Sequence, residues 1–136
     1  EIPLRLVGSE MCIRDSYDPT WASAFEPMNG TYAGRGVAIF KYTGGGSKGS
    51  ASDACAELVS DITRMLDNGN VAWQIGELGR LDLGGGGTIA YICANYGMEV
   101  IDSGVAVLSM HAPWEIISKA DLYEAVKAYH AFMLKA

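Results

Sequence analysis

One histidine follows an almost unbroken apolar run. Residues 105–110 read Val-Ala-Val-Leu-Ser-Met and lead straight to His111, after which Pro113 and Trp114 end any strand. An apolar run of this kind is expected of a strand covered on both faces. Its C-terminal end is where open α/β sheets form their binding crevice. A neutral imidazole nitrogen there suits zinc, provided the second nitrogen finds an acceptor that fixes the tautomer. By residue type alone, a lone histidine is more often a partly buried, hydrogen-bonded residue than a ligand, and both readings stay open. His130 is read as a surface or rim residue.

Two glycine clusters and two acids complete the candidates. Residues 84–88, Gly-Gly-Gly-Gly-Thr, run into a helical pattern, whose first free N–H groups can hold an anion or a polarised carbonyl. Glycines there equally let backbone pass close to a neighbouring strand. Gly86, Gly87 and Thr88 are therefore substrate-side candidates only. Residues 44–49 formally satisfy G-x-G-x-x-G, but a long loop separates strand from helix and Lys48 precedes the last glycine, so neither the dinucleotide fingerprint nor the Walker pattern holds. This stretch is read as a surface or substrate-facing loop, with Lys48 able to meet an acidic group. Glu77 and Asp102 are chemically capable, yet one falls in a turn-rich loop and the other after a strand, and both are read as making local hydrogen bonds or ion pairs.

Residues 37–43 form a β-branched and aromatic run that predicts a buried strand. Ala54, Leu58, Ile62, Met65 and Leu66 recur at helical spacing, with Asp53 near the start and Gly69 past the end. Residues 71–75 predict a further strand. A short helix with Ile89, Ile92, Cys93 and Tyr96 on one face ends at Gly97. Val100 and Ile101, then residues 105–110, predict more strand. Ser118-Lys119-Ala120-Asp121 reads as a capping box, in which the serine hydroxyl and the aspartate carboxylate satisfy N–H groups of the first turn. Leu122, Ala125, Val126, Tyr129 and Met133 then form an apolar stripe. Alternating strand and helix signals predict an α/β fold with a mostly parallel sheet and helices on both faces.

Composition narrows the class. Sixteen acidic residues against ten basic ones give a net charge of -6, which disfavours nucleic acid or an anionic membrane as partner. No apolar run reaches the roughly 20 residues of a spanning helix. Cys55 and Cys93 read as reduced core residues, in keeping with a cytoplasmic protein.

The chain also resembles a known family. Gly84 to Ile89, Val100-Ile101-Asp102, and Leu108-Ser109-Met110-His111 with Pro113 and Glu115 are similar to the C-terminal part of the aminopeptidase I family of zinc metallopeptidases, its bacterial members in particular. Asp18-Pro19-Thr20, Lys41-Tyr42-Thr43-Gly44, Ser52-Asp53-Ala54, Trp73-Gln74 and Gly76-Glu77-Leu78-Gly79 follow the same family in the same order, so the resemblance spans residues 17–136. It implies the C-terminal part of a zinc-peptidase catalytic domain, two zinc ions per active site, peptide substrates and a homo-oligomer when intact. His111 would be the last of the metal ligands. The family's other histidine, its carboxylates and its general-base glutamate belong upstream, so no catalytic residue is assigned here and the chain is expected to be inactive by itself.

Residues 7–16, Val-Gly-Ser-Glu-Met-Cys-Ile-Arg-Asp-Ser, resemble the translation of a transposon-end sequencing adapter. Residues 1–16 are therefore expected to be non-native, and 17–136 to be the domain fragment. The competing reading from another class is a non-catalytic α/β assembly or regulatory module that keeps the fold without the metal site.

Overall fold

The computed structural model describes residues 5–8, 30–43, 52–76, 90–110 and 112–135, with 5–8, 42–43, 52–53 and 91 described by backbone alone. Its centre is β2 (Val37–Phe40), four residues with essentially no solvent exposure. Side chains alternate across a strand. Val37 and Ile39 accordingly join one hydrophobic core, while Ala38 and Phe40 form a second cluster. The expected strand over 37–43 is broken at exposed Lys41, beyond which β3 (Tyr42–Thr43) pairs antiparallel with β4 (Ser52–Asp53).

The main sheet has the order β1-β6-β2-β5, from β1 (Arg5–Gly8), β6 (Glu99–Gly104), β2 and β5 (Trp73–Ile75). β1 runs parallel to β6 and β5 parallel to β2, but the central pair, β2 with β6, is antiparallel. The sheet is therefore mixed. Alternation of helix and strand signals places crossovers, but it does not set the direction of every strand.

α1 (Ala56–Asn68) forms because Leu58, Ile62, Met65 and Leu66 fall on one side at helical spacing, and all are buried as expected. Its cap is Cys55, whose Sγ accepts the Leu58 N–H at 3.5 Å. Asp53, expected near that start, is committed to β4. Gly69 ends the helix by donating its N–H to the Met65 carbonyl at 3.0 Å. The two exits also match, since Gly97, with φ +77°, follows α2 (Ala90–Asn95). At α2, Ala90 is buried while Ile92 and, just past the helix, Tyr96 face solvent; of the rest of the expected face Cys93 is half-buried and Ile89 lies outside the described residues.

After β6 the chain departs further from expectation. Residues 105–110 do not make one long strand: only β7 (Val107–Leu108) is extended and paired, antiparallel to β8 (Ile116–Ile117). Ala106 and Val107 are nevertheless buried. The apolar run therefore records burial, and Ser109, at φ +57°, turns the backbone out of the strand.

α3 (Lys119–Lys135) starts as its sequence predicts, with the Ser118 hydroxyl accepting the Asp121 N–H at 3.4 Å. The Asp121 carboxylate does something else: it accepts the N–H groups of Gly34 at 2.7 Å and Gly36 at 2.8 Å. Three residues on, Glu124 accepts the Ala72 N–H at 2.8 Å, and Lys127 donates to the Asn70 carbonyl. One side of α3 thus grips the segments that lead into β2 and β5. The face buried against α1 and the sheet carries Ala125 and Ala128, with Ala131 and Phe132 half-buried. Of the predicted stripe only Ala125 is buried; Leu122, Val126, Tyr129 and Met133 are exposed.

Candidate functional site

Asp102 is the most enclosed acid near the strand ends. It lies inside β6, opposite Phe40 of β2 and Gly8 of β1, which are the last residues of their strands. The residue has no solvent exposure and has a polar interaction. A carboxylate so buried needs that partner, because burying an unpaired charge costs many kcal/mol. Its expected place after a strand does not hold, since it lies within β6.

In sequence the candidate histidine falls between β7 and β8. Ser109 and Ala112 flank it in sequence, and the Ala112 N–H donates to the Ser109 carbonyl at 3.0 Å. Trp114, three residues beyond His111, is 86% exposed, so this connection reaches the surface. His111 itself lies outside the described residues. So do Gly86, Gly87 and Thr88, which precede α2, and Lys48 and Glu77. None of the predicted site residues is therefore among those the structure describes. Among the described residues no group of three or more histidine, cysteine, aspartate or glutamate side chains could hold a metal ion. They do not make a zinc site by themselves.

Sequence reasoning also missed a crevice of about 220 Å³ lined by Ala54, Cys55, Leu58, Ala94, Met98, Glu99 and Val100. The Cys55 thiol donates to the Glu99 carboxylate across 3.6 Å there. Cys55 is exposed, whereas a core position was expected. The signal was available: Cys55 directly precedes the Ala-Glu-Leu that opens the helical pattern, which is where a cap belongs.

On α3 the acidity of one carboxyl is changed by its neighbours. The Lys127 ammonium, hydrogen-bonded to Glu124 at 2.9 Å, and the Ala72 N–H hold the Glu124 carboxyl below the usual carboxylate range, against the opposing effect of burial.

These elements define an α/β unit built on a mixed sheet. The chain belongs to the aminopeptidase I zinc metalloprotease (M18) family, whose model matches residues 6–133. A probable M18 family aminopeptidase 1 of Clostridium acetobutylicum is 49% identical over 138 residues, covering 98% of this chain and 30% of that protein. The crystal structure of aminopeptidase I from Clostridium acetobutylicum matches 88% of this chain and 26% of its own, with TM-score 0.81 and 50% identity. A crystal structure of the M18 aminopeptidase from Thermotoga maritima matches 95% of this chain and 28% of its own, with TM-score 0.87 and 42% identity. The chain thus spans less than a third of the length of the relatives it matches.

Proposed function

We propose that this chain is the C-terminal part of a zinc-dependent aminopeptidase that removes N-terminal residues from peptides, and that it is inactive by itself. The observation that carries this reading is the contrast in coverage: the match takes in almost the whole chain and only 30% of the Clostridium relative. In this reading His111 is a zinc ligand, and Gly86, Gly87, Thr88 and Lys48 stand on the substrate side. The other zinc ligands and the general base come from upstream. When bound, the zinc ions would supply Lewis-acid polarisation of the scissile carbonyl. A single histidine is too few for tight binding, since catalytic zinc sites use three protein ligands.

The reading extends to the rest of the protein. The intact molecule is a cytoplasmic homo-oligomer acting on peptides, its sheet mostly parallel and covered by helices on both faces. Residues 1–16 are non-native on the strength of the adapter-like 7–16, although the family match begins at residue 6. Pairing of Arg5–Gly8 with β6 is compatible with that, because an open strand edge accepts any extended backbone.

The test is to sequence the source DNA across the codons for residues 1–17 and upstream, from a library prepared without transposon adapters. A frame that continues into a histidine and several acidic residues ahead of Tyr17 is the expected result. A start codon directly before residue 1 overturns the reading in favour of a non-catalytic module. For inactivity, the purified chain is assayed with zinc and a chromogenic aminoacyl substrate, and turnover above the blank refutes it.

A further inference from the structure

Leu122, Val126, Tyr129 and Met133 recur at intervals of four, three and four residues, so they form one continuous ridge along α3. The ridge is open: Leu122 is 49% exposed, Val126 61% and Met133 73%. It lies on the flank beside the buried alanines Ala125 and Ala128, roughly a quarter turn around the helix from them. The polar residues that would ordinarily cover a solvated helix face are used elsewhere, since Glu124 and Lys127 are tied to Ala72 and Asn70. What remains is a helix apolar on two sides, the pattern of a helix enclosed in a larger core. Exposed apolar surface of this extent marks an interaction site.

We infer that this ridge is a second packing face of α3, occupied by an apolar segment of the longer protein upstream of these 136 residues; the inference rests on the fragment reading above. Two observations favour that occupant over a second copy of the chain. The ridge is continuous with the chain's own core, because Tyr129 also lines the small apolar cavity formed with Val37, Ile62, Ile101 and Phe132. A segment laid on it would enlarge the existing core. The supply of chain is also sufficient, since 70% of the Clostridium relative lies beyond the 30% that is matched.

The test co-expresses the full 136-residue chain with the unmatched upstream part of the Clostridium acetobutylicum relative and measures co-purification and Kd. The expected result is a one-to-one complex that V126E combined with M133E weakens at least tenfold, while Arg64→Glu on the exposed side of α1 leaves it unchanged. The melting temperature of the chain alone should not fall with V126E and M133E, because both positions already face water. A complex indifferent to the two substitutions overturns the ridge and leaves the fragment reading standing. Absence of any complex with the unsubstituted chain counts against the fragment reading and overturns the inference with it. Self-association of the chain alone that the same substitutions abolish assigns the ridge to a second copy and also overturns it.

Discussion

The carboxylate of Asp121 accepts the backbone N–H of Gly36 at 2.8 Å across 85 residues of sequence, joining the first turn of α3 to the entry of β2. With the second bond to Gly34, both oxygens of a residue only 1% exposed are used. D121A should therefore cost about 3 kcal/mol, because two charge-assisted bonds are lost and the Gly36 N–H is left buried without an acceptor. D121N recovers little of this, since it sets an NH2 group against one of the two N–H donors. Urea unfolding of the three proteins checks the order, and equal midpoints refute it.

The two glycines that serve Asp121 should respond differently to alanine. Gly34 has φ +88° with no atom near an added Cβ, so G34A incurs only the left-handed penalty, about 1 kcal/mol. At Gly36, with φ +87°, a Cβ would sit 2.0 Å from the Ala72 carbonyl oxygen, on the backbone that β2 and β5 share. G36A is expected to lose cooperative unfolding or to fall several kcal/mol below G34A. Circular dichroism melts decide it.

Glu124 predicts an acid-side effect whose sign follows from its lowered pKa. The carboxyl is more acidic folded than unfolded, so its contribution is complete above the ordinary glutamate pKa of about 4.3 and disappears as pH falls through the lower folded value. The parent chain should melt above E124Q at pH 7, and the difference should shrink towards zero below about pH 4. A gap that is constant between pH 7 and pH 3 would contradict the assignment.

Core and ridge positions on the helices should separate cleanly. Leu58 of α1 is 2% exposed and L58A should cost about 2–5 kcal/mol. Leu122 on α3 is half exposed, and L122A in this chain should stay within about 0.5 kcal/mol. A large loss at Leu122 would mean that the ridge is already covered within the 136 residues.

How much of this was legible depended on the range of the interaction. The α1 stripe and the stops at Gly69 and Gly97 are local, and a 3.6-residue period or a helix-ending glycine records them directly. The inner face of α3 was hidden because it is built from alanines, which carry little hydrophobic signal, while the conspicuous Leu122, Val126 and Met133 point outward. Asp121 read as a helix cap because nothing local reveals acceptance of N–H groups from Gly34 and Gly36. Residues 105–110 were apolar because they are buried, and a left-handed serine cannot be foreseen from hydropathy. The site was legible only as His111 in a family context: by the proposed reading its partners are supplied by other chain segments, and no pattern within these residues can stand in for them.

The placement of β2 between β6 and β5 also has a temporal consequence. Its four apolar residues are made before one of the neighbours that encloses them, which appears only after α1, β5 and α2. Until then the strand has one open edge and no α3 above it, so the nascent chain carries a short, sticky segment until β6 and α3 follow. The non-local pairing makes folding slow as well as late. Exposure of that strand during translation makes dependence on chaperones an expected property of this chain, and pulse-labelled chains recovered with trigger-type holdases would reveal it.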